Sequence, residues 1–272
     1  MKFKSIFALF NIVVGVSFIF VFAMPFFALG SEYALSFWKG NWPLALLLIV
    51  VLIGIDIFFA LNWRLFALLE REDWPALTHY LEERIIGKGQ WSPRLVHLLA
   101  NTYLVLSDPA AVESLESKVR QAKPSLLERN ALVFGLAHIL SNNHEKAKEF
   151  FLARLQRKKQ GDWLQWYYVF SLLLLHDFSS AADTIENLAV DAKDALVTAL
   201  CYSFLKDTLA HALPERTDTL IRLAKTARER VLARFPTRES FEKEIQRAGA
   251  DIHVVVLSKS IHEAADSLYS PE

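Results

Sequence analysis

The residues of this chain whose types invite chemistry are eight histidines, one cysteine and two polar side chains set among apolar neighbours. His138 and His144 flank a turn instead of sharing a helix face, and His253 and His262 stand nine residues apart. With no cysteine or carboxylate near them at ligand spacing, they predict no metal site. Cys201 sits in the apolar run Leu200-Cys201-Tyr202 and reads as a small buried hydrophobe. A single cysteine excludes an intramolecular disulfide and suits a reducing compartment. Gly87-Lys88-Gly89 has no Ser or Thr after the lysine and no strand before it, so it is a loop and not a phosphate cradle. Nucleophile elbow, His-Glu-x-x-His helix and paired Cys-x-x-Cys are all absent. The expectation is a protein without catalysis, cofactor, metal or small-molecule substrate.

The two isolated polar residues are Asn11 and Asp56, and their surroundings set the first architectural expectation. Of 30 basic and 30 acidic residues, only Lys2, Lys4, Glu32, Lys39 and Asp56 precede Asn62. Ser5 to Leu29 is a run of about 25 residues and Pro43 to Leu61 one of about 19, each long enough to cross a bilayer as a helix. Tyr33, Trp38 and Trp42 mark the stretch Gly30 to Trp42 as an interfacial loop. The pattern predicts a transmembrane hairpin. The alternative is a cleaved signal peptide, with Ala28-Leu29-Gly30 as the cleavage site, followed by one anchor. Lys2 and Lys4 before the first helix, and Arg64, Arg71, Arg84 and Lys88 after the second, predict both termini on the cytoplasmic side. Asn11 and Asp56 then lie at matching depth. They read either as a hydrogen-bonded pair that pins the hairpin or as part of a relay or membrane-protein contact.

From Asn62 onward the chain repeats. The breaks Glu72-Asp73-Trp74, Ser107-Asp108-Pro109, Asn142-Asn143-His144 and His176-Asp177-Phe178 place Asp73, Asp108, Asn143 and Asp177 at intervals of 35, 35 and 34 residues. Each follows an apolar run and precedes an amphipathic one, which is the period of stacked helical hairpins. Leu77, Leu81 and Ile85 make one helix face, and Ser92-Pro93 an N-cap with proline at the first helical position. The third unit reads as helices from about Leu126 to Leu140 and Glu145 to Lys158. The second membrane helix is expected to continue into the first hairpin without a linker. After Leu188 the period slips. Asp191 to Ala212 reads as one helix, Arg216 to Ala233 as another, Glu239 to Gln246 as a short one, and Ile252 to Leu257 as part of a closing helical segment although its β-branched run could be a strand.

These units resemble tetratricopeptide repeats, a family that favours a small residue at the eighth position, an aromatic at the eleventh, Ala at the twentieth, an aromatic at the twenty-fourth and Pro at the thirty-second. Counted from Pro93, Leu99, Ala100, Tyr103 and Pro124 fall on the seventh, eighth, eleventh and thirty-second positions. Counted from Glu128, Gly135, Ala147 and Phe151 match, and from Asp162 only Ala181 does. The resemblance covers about half of the chain. It implies that first-helix residues line a groove that takes a peptide or helix. These are Arg94, His97 and Asn101 in one unit, Arg129, Leu132 and Leu136 in the next, and Trp163, Trp166 and Phe170 in the third. The competing expectation is that the Trp and Phe side chains are packed by the next helix or by the C-terminal segment.

Two basic groups complete the surface. Arg154, Arg157, Lys158 and Lys159 end one helix, and Arg222, Lys225, Arg228, Arg230 and Arg234 make a late helix basic. They read as solvated faces or as a contact with anionic lipid. Zero formal net charge gives no electrostatic reason to expect nucleic acid. The sequence therefore predicts an all-α protein. Residues 1–61 form a two-helix anchor, 62–190 a tetratricopeptide-like α-solenoid and 191–272 irregular capping helices. The expected role is a scaffold that recruits a protein partner at the cytoplasmic face of a bacterial inner membrane. Rival expectations are a membrane-complex subunit acting through Asp56 and an envelope-assembly factor with an extracytoplasmic solenoid.

Overall fold

The computed structural model describes residues 3–156 and 161–270, and every described element is helical. The chain divides into two compact units, Met1–Leu81 and Glu82–Glu272.

The first unit contains α1 (Phe3–Leu29), α2 (Ser31–Glu70) and α3 (Trp74–Glu82), whose last residue opens the second unit. Both α1 and α2 carry an apolar stretch long enough to cross a membrane, Leu9–Ala28 and Ile49–Glu70. Their large apolar side chains face outward: Ile19 is 68% exposed, Phe20 67% and Leu61 73%. The interfacial loop expected over Gly30 to Trp42 is instead one residue and a helix. Gly30 alone turns the chain, at φ 79°, a conformation open to glycine. Ser31 to Gly40 is helical and folds back on α1, with Phe22 stacked on Trp38 at 4.4 Å and Ala34 fully buried. Pro43 kinks α2 without ending it. The distortion falls at Asn41 (φ −114°, ψ 20°), whose side chain donates to the Phe37 carbonyl at 2.9 Å. From there α2 runs unbroken past Asn62, as expected. Arg64 on α2 stacks over the Tyr80 ring of α3, 5.2 Å from its centre.

The hairpins share one turn. Glu72, Ser107, Asn142 and His176 all adopt left-handed backbone, with φ of 51°, 58°, 56° and 59°. Each donates its amide three residues back (Glu72 to Leu69, Ser107 to Leu104, Asn142 to Ile139, His176 to Leu173). The residue after each donates five back, so Asp108 N–H reaches Tyr103 O at 2.9 Å and Asp177 N–H reaches Leu172 O at 3.0 Å. This paired bonding closes a helix C-terminus. The same following residue caps the next helix, its side chain accepting from Ala76 (Asp73), Ala111 (Asp108), Lys146 (Asn143) and Ser180 (Asp177). Two residues thus end one helix and start the next, at the sequence period.

In the second unit a π-helical turn, Glu83–Gly87, extends α3 before Gly89 (φ 66°). The hairpins that follow pair α4 (Pro93–Val105) with α5 (Pro109–Ala122), α7 (Ala131–Leu140) with α8 (His144–Leu155), and α9 (Asp162–Leu174) with α10 (Phe178–Asp191). Helix α6 (Ser125–Arg129) precedes α7. The single helix expected from Leu126 to Leu140 is interrupted at Asn130 (φ −119°, ψ 22°), whose amide donates to Leu126 O. First helices pack side by side, α4 on α7 on α9, and each second helix packs on the following first helix, α5 on α7 and α8 on α9.

The expected helix Asp191 to Ala212 is also broken. The chain turns at Ala192, and Asp194 caps α11 (Ala195–Phe204) by accepting from Leu196 and Val197. A π turn, Leu205–Leu209, continues α11 into α12 (Ala210–Ala212). Then come α13 (Thr217–Arg234), α14 (Arg238–Ala248), α15 (Ile252–Val256) and α16 (Ser258–Tyr269), so the β-branched run is helical. Helix α15 packs on α7, α16 on α11 and α14 on α16.

One close approach holds three of these helices. Gly135 of α7 lies against Phe151 of α8, so closely that a Cβ would stand 2.2 Å from the ring. That ring stacks on Tyr167 of α9 at 5.8 Å. Replacing a helical glycine by alanine ordinarily gains about 1 kcal/mol from backbone entropy. Here the ring is fully buried and overpacking by about 1–3 kcal/mol opposes that gain. Gly135→Ala should therefore lower the thermal unfolding midpoint, and an unchanged or raised midpoint would show that Phe151 can move aside.

Candidate functional site

The face made by α4, α7 and α9 is where the groove was expected, and the chain itself covers part of it. Burial follows from helix phase. Arg94 and His97 of α4 and Arg129 of α6 are exposed, and Asn101, Leu132, Trp163 and Phe170 are half-buried. Leu136 and Trp166 are fully buried, which corrects their assignment to an open groove: both point between helices, and Trp166 meets Phe204 edge-on at 5.1 Å. Phe170 lies between Tyr167 and Phe204, at 6.3 and 6.5 Å.

Helix α15 lies across the face. His253 sits edge-on to Trp163, ring centres 4.7 Å apart, and the buried Tyr167 hydroxyl donates to the His253 carbonyl. Burial pushes the Tyr167 hydroxyl up and the His253 imidazole down from their ordinary values, so both stay neutral near pH 7. Trp163 is fixed from the other side by Asp194 Oδ2, 2.8 Å from its indole nitrogen. Asp162 accepts from the Lys193 and Asp194 amides at 2.7 and 2.8 Å. The two acids at the start of α9 and α11 therefore lock the Trp163 end. What stays open is a cleft of about 310 Å³ lined by His97, Arg129, Leu132, Trp163, Asp251 and His253 among others. Four expected groove residues meet there. Arg94, Asn101 and Phe170 do not line it.

In the first unit Asn11 on α1 and Asp56 on α2 are both half-buried, and the two helices pack together. Of the two basic groups, Arg157, Lys158 and Lys159 lie outside the described residues. Arg154 is buried, donating to the Phe150 carbonyl with its guanidinium over the Phe150 ring. On α13 two arginines are structural. Arg230 donates to the Ala189 and Ala192 carbonyls and Arg234 to Lys193 O at 2.7 Å, closing the C-terminal end of α10.

A second cluster escaped the sequence reading. Glu116 of α5 accepts from His138 Nε2 of α7 at 2.9 Å and from Arg120 at 2.6 Å, with Glu113 and Lys146 beside them. Glu116 and His138 are 5% and 6% exposed. The Glu116–Arg120 spacing was legible as a helix pair; the histidine 22 residues away was not. Burial opposes ionisation of Glu116, but the His138 and Arg120 hydrogen bonds outweigh it and hold the carboxyl below its ordinary 4.5. Cys201 is fully buried, and burial pushes its thiol up, away from reactivity. Among the described residues no group of histidines, cysteines and acids is arranged to hold a metal.

A family model described as "Uncharacterised Treponema protein" matches residues 111–270, more than half of the chain. An uncharacterised protein of Treponema pallidum (strain Nichols) is 28% identical over 220 residues, covering 78% of this chain and 68% of that protein. The family match includes the His138 cluster and the α15 segment and does not extend to α1 or α2.

Two measurements test these placements. Trp166→Ala should destabilise by about 3–5 kcal/mol in urea unfolding, as a large buried aromatic does. Trp166→Phe should cost far less, because the indole nitrogen has no hydrogen-bond partner to lose. A partner-binding Trp166 with little effect on stability would contradict the core assignment. For Glu116, the lowered folded value means that its stabilisation is complete above its ordinary pKa and is lost as pH falls through the folded one. Glu116→Ala should destabilise by about 3 kcal/mol at pH 7 and flatten the decline in urea midpoint as pH falls below the ordinary carboxyl value of 4.5. A parallel decline in mutant and wild type would exclude the carboxylate as its source.

Proposed function

The chain belongs to the uncharacterised Treponema protein family, and we propose that it is a membrane-anchored adaptor that recruits a protein partner through its helical hairpins. In this reading α1 and α2 anchor the chain in a bacterial inner membrane. The hairpins are a tetratricopeptide-like solenoid on the cytoplasmic side, and a partner peptide or helix enters the cleft beside α15. The observation that carries the proposal is that cleft, where exposed Arg129, half-buried Leu132 and Trp163, and His97 converge from three successive first-helix segments. Arginine and aromatic side chains in a partly desolvated recess are the usual anchors of an interface. The anchor is supported by rows of outward-facing Phe, Ile, Val and Leu on α1 and α2, a surface too apolar for water. Confinement to a membrane would raise the effective concentration of a partner held there. The resemblance to tetratricopeptide repeats is further supported by the burial of Ala100, Gly135, Ala147 and Ala181 where that family favours small residues.

Affinity capture of the full-length protein from membranes, followed by mass spectrometry, tests the proposal beside an Arg129→Glu, Leu132→Ala double variant. Both side chains lie at the surface, so circular dichroism should show unchanged helicity. A cytoplasmic protein captured by the wild type and lost from the variant is the expected result, and a periplasmic one would invert the orientation. Equal capture by both would remove the cleft from the function. Integral membrane proteins retained by the variant would move the function to α1, α2 and Asp56.

A further inference from the structure

The helix that covers the first-helix face is itself weakly built. Helix α15 has five residues, Ile252-His253-Val254-Val255-Val256, and four of them are β-branched. Such side chains lose rotamer freedom in a helix, and an isolated helix of this length does not persist in water. No side chain caps its N-terminus. The amides of Val254 and Val255 both bond back to the Asp251 carbonyl, at 2.9 and 3.0 Å, and the Leu257 amide bonds to Val254 at 3.1 Å. These backbone bonds stay within the segment, so packing on α7 and α16 holds its conformation.

The attachments to the hairpins are few. Val254 and Leu257 are buried and anchor the segment, whereas Val255 is 50% exposed and Ile252 and Val256 are half-buried. Among the described residues one hydrogen bond joins α15 to another element, from the Tyr167 hydroxyl to the His253 carbonyl. The His253 ring adds its edge contact with Trp163. Both ends offer a pivot. Gly249, Ala250 and Asp251 are exposed between α14 and α15, and the chain leaves helical geometry at Leu257 (φ −98°, ψ 10°) before α16.

The surrounding elements are held by other contacts. Helices α7, α8 and α9 share the buried Gly135–Phe151–Tyr167 packing, to which α15 contributes nothing. Helix α16 is tied to α11 by the Tyr202 hydroxyl, which donates to the Ser267 carbonyl at 3.2 Å. Lifting α15 would therefore break one hydrogen bond and one ring contact and leave both of these in place. Segments with so few attachments open at lower free energy than the core around them. Lifting would also free the Trp163 ring and the Tyr167 hydroxyl, which stand four residues apart on one face of α9.

We propose that α15 is a strap: it is the groove's intramolecular occupant, and it lifts as a unit, with the hairpins and α16 in place, to admit a partner segment. The lifting is a property of the fold, and only what enters rests on the adaptor reading. The apparent affinity for a partner is then reduced by the fraction of molecules in which the strap is down.

The test is native-state hydrogen exchange of the full-length protein in phosphatidylcholine nanodiscs, read by mass spectrometry with fragmentation that resolves single amides. After correction for intrinsic rates, the amides of Val254, Val255 and Leu257 should exchange roughly a hundredfold faster than those inside α7 and α16. Tyr167→Phe should raise the α15 rates roughly fivefold, as expected from the one hydrogen bond that lifting breaks. Tyr202→Phe removes a bond that lifting leaves intact, so α15 should keep its wild-type rates. Exchange of α15 at the rate of α7 or α16, no acceleration in Tyr167→Phe, or equal acceleration in Tyr202→Phe would each overturn the proposal by making α15 part of the cooperative core. Equal capture by the wild type and the Arg129→Glu, Leu132→Ala variant, with these rates as expected, would remove the adaptor reading and keep the strap.

Discussion

The arrangement of the hairpins depends on one local event, a residue in left-handed backbone followed at once by a capping acid or amide. Such a backbone is unfavourable for residues other than glycine, by about 1–2 kcal/mol. Glu72, Ser107, Asn142 and His176 adopt it because the amide of each, and of the residue after it, closes the helix just ended. The same two residues then start the next helix with a side-chain cap. Ending and starting in two residues leaves no slack, so the angle between the helices of a hairpin is set locally. Tertiary packing only has to match surfaces already presented. The lateral contacts do so with small residues: Gly135 admits the Phe151 ring, and that ring reaches Tyr167 in the following hairpin.

The C-terminal third of the chain serves the hairpins in two ways. Arg230 and Arg234 reach back from α13 to the Ala189, Ala192 and Lys193 carbonyls at the end of α10. Helix α15 covers part of the first-helix face, joined to it by the Tyr167 hydroxyl and the Trp163–His253 contact. A stack of hairpins must have its last apolar surface covered. Here the cover folds over the side of the stack, and four of the expected groove residues remain around a cleft beside it.

The parts of this structure that were legible in the sequence are those encoded by local chemistry. The 34- and 35-residue spacing of Asp73, Asp108, Asn143 and Asp177 marks the turns because each side chain acts within three residues of itself. The continuity of α2 through Asn62 was legible because no breaker intervenes. Where local signals competed, the reading erred. Trp38 and Trp42 suggest an interfacial loop, yet Pro43 only kinks the helix and Gly30 makes the turn alone. Asp194 was hidden in an apolar helical pattern although its side chain ends one helix and begins another. The errors at the site have a different cause. Trp166 and Leu136 occupy first-helix positions that a resemblance assigns to a groove, but their burial is decided by helices distant in sequence. The same is true of His138 with Glu116, which no local pattern joins.

Helix α2 imposes a constraint of another kind. From Pro43 to Glu70 it is one rod, and its two ends differ sharply in polarity. In such a rod each residue contributes about 100° of rotation and 1.5 Å of rise. Adding or deleting one residue between Asp56 and Arg64 would leave every side chain chemically intact. It would still turn the hairpin that carries Arg64 and Tyr80 by more than a quarter of a revolution relative to the apolar half. A change of length there alters what no single substitution does. The number of residues between its two halves acts as a phase angle, set by chain length and not by side-chain chemistry.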